Sequence, residues 1–122
     1  AIQAYSMGVR DIELFDYDVI SVLKADKNLM LNGISGIKAF HDDIYTFSSS
    51  KKYTIITANL LSRLIEDNIE KMKSLLEDDG YLIMSGIGSK WEQDMVKLFE
   101  ISGLHIFLHK KLEEWEGFVL KK

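Results

Sequence analysis

Three polar residues stand where an α/β chain places ligand contacts. Asp16 closes a short apolar-rich run, residues 12–16, and a carboxylate at the end of such a strand accepts hydrogen bonds from both hydroxyls of a nucleoside ribose. The competing reading makes Asp16 and Asp18 a polar loop and a helix cap. Asn59 directly follows Tyr53-Thr54-Ile55-Ile56-Thr57-Ala58. Its amide carries one acceptor and two donors, enough to orient an amine or a cofactor without adding charge, or else to cap the helix that begins near Leu61. Gly86-Ile87-Gly88-Ser89-Lys90 lies between a predicted strand and a predicted helix. The dinucleotide pattern needs a third glycine where Trp91 stands, and the other phosphate loop needs Gly-Lys-Ser/Thr, so a plain strand-to-helix turn is favoured over a phosphate cradle. His41, His105 and His109 offer no ligand spacing, because His105 and His109 are four apart in a predicted strand, and no metal centre is expected. Glu77-Asp78-Asp79 reads as a solvated helix end. The chain has no cysteine, which removes thiol nucleophiles, disulfides and cysteine-zinc sites together. No serine, histidine and carboxylate stand at a defensible spacing. Cofactor positioning is therefore the expected chemistry.

Alternating strands and helices must hold these residues. Residues 12–16 read as a strand, and Asp18 is placed to cap a helix whose stripe contains Val19, Val22, Leu23, Leu29 and Met30. Asn32-Gly33 stops it, since both residues tolerate a left-handed turn. Residues 36–40 are a weak strand that runs into His41-Asp42-Asp43. The β-branched run 53–58, apolar on both faces, predicts an interior parallel strand. Leu61, Leu64, Ile65, Ile69, Met72, Leu75 and Leu76 keep helical spacing up to Gly80. Tyr81-Leu82-Ile83-Met84 is another strand. Ser89-Lys90-Trp91-Glu92 has the form of a capping box, opening a helix with Trp91, Met95, Leu98 and Phe99 on its apolar face. Residues 104–108 and 115–120, joined by a charged bend, predict an antiparallel hairpin. The whole pattern implies an α/β sheet with right-handed crossovers.

Composition narrows the class. The 122 residues suit one domain. The net charge of −4 argues against a phosphate-tracking surface, which normally shows a basic excess. A hydrophobic share of 47% with 28% charged residues is that of a folded chain. No apolar run approaches the ~20 residues that span a bilayer, so the expected setting is the cytoplasm, with no membrane partner. There is no proline, where average usage predicts about six. The chain opens without methionine inside what reads as a helix, as a cut end would.

The order of these segments resembles the class I S-adenosylmethionine-dependent methyltransferases, and within them the ribosomal protein L11 methyltransferase family. Leu14-Phe15-Asp16-Tyr17-Asp18 is similar to the family's second-strand motif, in which the first acid binds the cofactor ribose. Leu31-Asn32-Gly33-Ile34 resembles its helix-ending Leu-Asn-Gly-Val. Ala58-Asn59-Leu60-Leu61 resembles its Ala-Asn-Ile-Leu, whose asparagine lies at the cofactor and the methyl-accepting nitrogen. Leu82-Ile83-Met84-Ser85-Gly86-Ile87 resembles its Leu-Ser-Gly-Ile after the fifth strand, and Glu114-Trp115 its final Glu-Trp. The resemblance implies a Rossmann-like fold of mostly parallel strands with a C-terminal antiparallel hairpin, occupying residues 1–122 as one partial catalytic domain. It implies S-adenosyl-L-methionine as cofactor, with Asp16, Asp43 and Asn59 binding it. Asn59 is also the catalytic candidate, and the acceptor is a lysine or N-terminal amine of a large-subunit ribosomal protein.

The sequence departs from the pattern in places. Val19 stands for the proline that usually follows the Asp-x-Asp motif, and Glu77-Asp78-Asp79-Gly80 for Lys-Pro-Gly-Gly. The family's first strand and glycine-rich loop have no counterpart in these residues. Without that strand two strands are expected to expose unpaired amides and carbonyls, so that the gap is filled by another copy in a homo-oligomer, by a peptide, or by rearrangement of the sheet. Two rival readings stand beside the methyltransferase: a non-enzymatic remnant serving as an oligomerisation or interaction module, and a nucleotide-phosphate binder using residues 86–90.

Overall fold

The computed structural model describes residues 1–122, which fall into two compact units, residues 1–47 and 48–122. The first unit holds α1 (Ile2–Ser6), β1 (Leu14–Asp16), α2 (Val19–Leu31) and β2 (Ala39–His41). Its strands pair in parallel, Leu14 with Ala39 through Asp16 with His41. Helix α2 starts as its sequence requires: the Asp18 carboxylate accepts hydrogen bonds from the backbone of Ile20 and Ser21 and from the Ser21 hydroxyl. It stops at Asn32, and Gly33 takes the left-handed conformation at φ +67°. Leu29, Ile34 and Ile37 form the core, with Ile2, Tyr5, Ile12 and Leu14 packed against them. The Asp26 carboxylate, on α2, accepts from the Ala39 amide and so ties the helix to β2.

The second unit is a four-stranded sheet in the order β3-β4-β6-β5, carrying two helices. Its elements are β3 (Tyr53–Asn59), α3 (Ser62–Leu75), β4 (Leu76–Gly88), a 3-10 turn (Ser89–Trp91), α4 (Glu92–Ile101), β5 (His105–Leu112) and β6 (Trp115–Lys121). β3 runs parallel to β4, while β6 is antiparallel to both β4 and β5. The hairpin expected at the C-terminus is present, and Glu113 turns it at φ +54°. Ile65, Ile69 and Met72 of α3 and Met95 and Phe99 of α4 are buried together with Leu82, Met84, Phe118 and Leu120 of the sheet. Phe99 meets Phe118 edge-on, with 5.2 Å between ring centres, a favoured aromatic arrangement.

Four expectations are corrected. β3 pairs only with β4, so it is an edge strand rather than an interior one, and Ile55 is left 53% exposed on it. Helix α3 ends at Leu75, because Leu76 turns extended to pair with Tyr53 and is fully buried. Glu77-Asp78-Asp79 therefore begins a strand, where its acids lie exposed, and is not a helix end. Ser89 forms no capping box, since α4 has no side-chain cap and the Ser89 hydroxyl donates instead to Glu116.

The hydrogen bond from the Ser21 hydroxyl, then the Ser21 and Ile20 amides, together with Lys24, lower the Asp18 pKa against the opposing effect of burial. A depressed folded value means that this stabilisation is complete above the ordinary carboxylate range and is lost as pH falls through the lowered value. Asp18→Ala is expected to lower the melting temperature by about a few degrees at neutral pH, and Asp18→Asn to retain most of it. Thermal melts from pH 7 downward should show wild type and Asp18→Ala converging in acid.

Candidate functional site

Parallel strands gather ligand contacts at their carboxyl ends, and each unit presents polar groups there. In the first unit Asp16 ends β1. Its Oδ1 accepts the Asp18 amide at 2.8 Å, closing a tight turn, and its side chain is exposed. The loop after β2 is held alongside, because the Asp42 amide donates to the Asp16 carbonyl at 3.2 Å. The His41 ring, through Nε2, meets the Tyr17 carbonyl at 2.8 Å. Asp43 follows, half-buried, with its carboxylate accepting the Tyr45 amide. Asp16 and Asp43 thus come from neighbouring loops at the same end of a parallel pair. Beside them Phe15 stacks on Phe47 at 4.6 Å.

In the second unit Asn59 ends β3 and is paired in register with Ser85 of β4. The helix cap that competed with a ligand role for Asn59 is absent: Leu61 is the N-cap of α3, with no side-chain hydrogen bond. Asn59 lies instead over Gly86, which takes φ +79°. A Cβ on Gly86 would stand 2.2 Å from the Asn59 Oδ1, so only glycine leaves the amide its place. Asn59, Leu60, Leu61, Ser85, Gly86 and Trp115 line an open cleft of about 540 Å³. Gly88-Ser89-Lys90 forms no phosphate cradle there. Ser89 is fastened to the hairpin by its amide, which donates to the Glu114 carbonyl, and by its hydroxyl on Glu116.

Glu116 is the functional-looking residue that sequence reasoning missed. It is 1% exposed, and its carboxylate is held by the Ser89 hydroxyl at 2.6 Å, His109 Nε2 at 2.8 Å and Lys111 Nζ at 3.2 Å. The Ser89 hydrogen bond, followed by those of His109 and Lys111, lowers its pKa although burial acts to raise it. The signal was the strand alternation, since Glu116, Phe118 and Leu120 share one face of β6.

Comparison with known proteins decides what the motifs belong to. The sequence profile of the family described as ribosomal protein L11 methyltransferase (PrmA) matches residues 1–122. The chain belongs to that family. It is 30% identical over its whole length to the ribosomal protein L11 methyltransferase of Bacillus pumilus, covering 39% of that protein. With the Streptococcus agalactiae protein of the same name it shares 35% identity over 119 residues, covering 95% of this chain and 37% of that one. The chain thus spans about two fifths of the length of these curated relatives. A crystal structure of ribosomal protein L11 methylase from Lactobacillus delbrueckii subsp. bulgaricus superposes with a TM-score of 0.90 at 26% identity, over 98% of this chain and 61% of that one. The fold expected from sequence, a Rossmann-like α/β sheet with an antiparallel C-terminal hairpin, is the one present.

The contact between Asn59 and Gly86 yields a test. Gly86→Ala is expected to destabilise the chain by about 1–2 kcal/mol from the left-handed backbone alone, plus the cost of displacing the amide. Asn59→Ala removes that clash. In urea denaturation the double variant should therefore lose less than the sum of the two single losses. Strict additivity would show that the amide does not rest on Gly86.

Proposed function

We propose that this chain carries cofactor- and acceptor-binding elements of an S-adenosylmethionine-dependent protein methyltransferase, whose acceptor is a lysine or N-terminal amine of ribosomal protein L11. The observation that carries the reading is the Asn59 amide seated over Gly86 at the carboxyl ends of β3 and β4, in a chain matched by the family along all its residues. The residues suit the cofactor. Gly86 is a position where any side chain would collide with the amide, and Asp16 is exposed, with only its Oδ1 engaged in closing the turn.

In this reading Asp16 accepts hydrogen bonds from the ribose hydroxyls, and Asp43 contacts the adenine side. When bound, the cofactor would supply an electrophilic sulfonium methyl group, which the amine lone pair attacks while the thioether leaves with the C–S electrons and the proton on nitrogen passes to water. Asn59 Oδ1 accepts a hydrogen bond from the neutral amine and aims its lone pair, while the Nδ2 donors hold the cofactor side. An amide does this without favouring the protonated amine, which has no lone pair to offer. Orientation of this kind supplies much of the rate in such a displacement. A ribosomal substrate fits a cytoplasmic location.

The edge of β3 favours a second reading, that the chain associates with another copy. The strand is seven residues long, carries no charge or proline, and pairs on one side only. Such an edge is a template for pairing. Light scattering at increasing concentration should show a dimer, and a monomer at all concentrations removes this reading.

The enzyme reading is tested by calorimetric titration with S-adenosylhomocysteine, on the gene product at its encoded length. Asp16→Ala is expected to weaken binding at least about tenfold. Asn59→Ala should lower kcat for peptide methylation more than it raises KM. Unchanged affinity in Asp16→Ala refutes the ribose contact.

A further inference from the structure

We propose that Glu92, His109 and Glu116 form a binding site for a divalent transition-metal ion of the zinc class, which fastens the start of α4 to the β5–β6 hairpin. The three residues come from three elements, and their ligand atoms all lie within 4.8 Å of one another. His109 Nε2 is 2.8 Å from Glu116 Oε2 and 4.0 Å from Glu92 Oε1. Neighbouring ligands on a tetrahedral ion with bonds of about 2.0–2.2 Å stand roughly 3.5 Å apart. The His109–Glu116 pair is thus somewhat closer than a ligand spacing and opens as its hydrogen bond gives way to the ion. Glu92, with its side chain 38% exposed, has to close by about half an ångström, which an exposed glutamate does by a small side-chain rotation.

Two of the three ligands are held in place without the ion. The Glu116 side chain is fully buried, and its Oε1 is engaged by Ser89 and Lys111, so Oε2 is the oxygen turned to His109. The His109 ring lies flat on Phe118, with centroids 4.2 Å apart and planes 7° from parallel. Ligands whose far atoms are hydrogen-bonded or packed are the ones that bind metals well. An imidazole with two carboxylates suits zinc and its neighbours better than magnesium or calcium, which prefer oxygen alone. The ion takes the place of the proton on His109 Nε2, and that proton is released. Two carboxylates facing one ammonium, Lys111, leave net negative charge for a dication. With three protein ligands, water completes the sphere.

This inference does not rest on the methyltransferase reading, and its test needs no methyl transfer. The metal-free chain is melted with Zn2+ or with Mg2+, and titrated with Co2+ while visible absorption is followed. Zn2+ is expected to raise the melting temperature by about several degrees, Mg2+ to leave it unchanged, and Co2+ to develop the intense bands of a four-coordinate site. His109→Gln should abolish the Zn2+ shift, and Glu92→Gln should weaken binding at least about tenfold. Both variants keep a polar side chain at a partly exposed position, and circular dichroism is expected to show the wild-type fold in each. His105→Gln, on the same strand, should keep the full shift. No Zn2+ shift, a shift that survives His109→Gln, or one equally lost in His105→Gln overturns the proposal.

Discussion

Strand β4 must satisfy two partners of opposite direction and then deliver a glycine to the cleft. Its residues pair in parallel with β3 and antiparallel with β6, so both ladders of the second unit's interior run through one segment. The pattern of buried side chains follows from that position. Leu82 and Ile87 are fully buried and Met84 is 1% exposed, on the face that carries α3 and α4, while Tyr81 and Ile83 point the other way. The register of β6 shifts between Met84 and Ile87, and Gly86 with its positive φ sits within that irregularity. The glycine in that irregularity, lacking a side chain, is also what leaves room for the Asn59 amide. A register slip by one residue would turn the buried set to the outside and take Gly86 away from the amide, so core packing and cleft geometry are one constraint.

The end of β4 is then tied down by a charge. Glu116 lies on the buried face of β6, where an unpaired carboxylate would be costly. It is tolerated because Ser89, His109 and Lys111 saturate it. Each partner comes from an element that must be fixed relative to the cleft: Ser89 from the turn after β4, the other two from β5. Trp115, the residue before Glu116, lines the cleft. The stacking of His109 on Phe118 links this polar cluster to the Phe99–Phe118 contact in the core. Removing one member of such a network leaves buried polar atoms unpaired, so its members do not act independently.

Local signals were legible in the sequence where the chemistry is local. Asp18 caps α2 because its partners are two and three residues away, and Asn32-Gly33 stops that helix through its own backbone preferences. The hairpin of β5 and β6 was readable because antiparallel neighbours need only a short bend. Two of the misreadings share one physical cause, a distant partner outbidding a near one. Ser89 has the form of a cap, yet its hydroxyl is drawn to Glu116, 27 positions on. Leu76 fits the helical stripe of α3, yet pairing with Tyr53 takes it into the strand. β3 has the composition of an interior strand but one neighbour, because composition reports what a strand can bury and not how many partners are present. For the proposed site, Asp16, Asp43 and Asn59 were picked out from the motifs, and the structure places each of them at or just beyond the carboxyl end of a parallel strand. Glu116 was hidden because attention to charge clusters along the chain passes over a lone acid in an alternating strand.

An amide at the end of β3 suits the proposed reaction better than a charged group would. A carboxylate at that place would raise the pKa of an incoming amine by attraction, holding it as ammonium and removing the lone pair that must attack. A hydroxyl would offer a single donor and one rotor to fix. The amide of Asn59 has its acceptor and donors in a rigid plane, and Gly86 lets that plane lie against the backbone of β4 with no side chain between. In the proposed reaction the neutrality of the group and the glycine beneath it would belong together: the first would leave the nucleophile unprotonated, and the second would fix the direction in which the amide points. A larger residue at 86 therefore costs more than volume, because it displaces the Asn59 amide from its place over the strand.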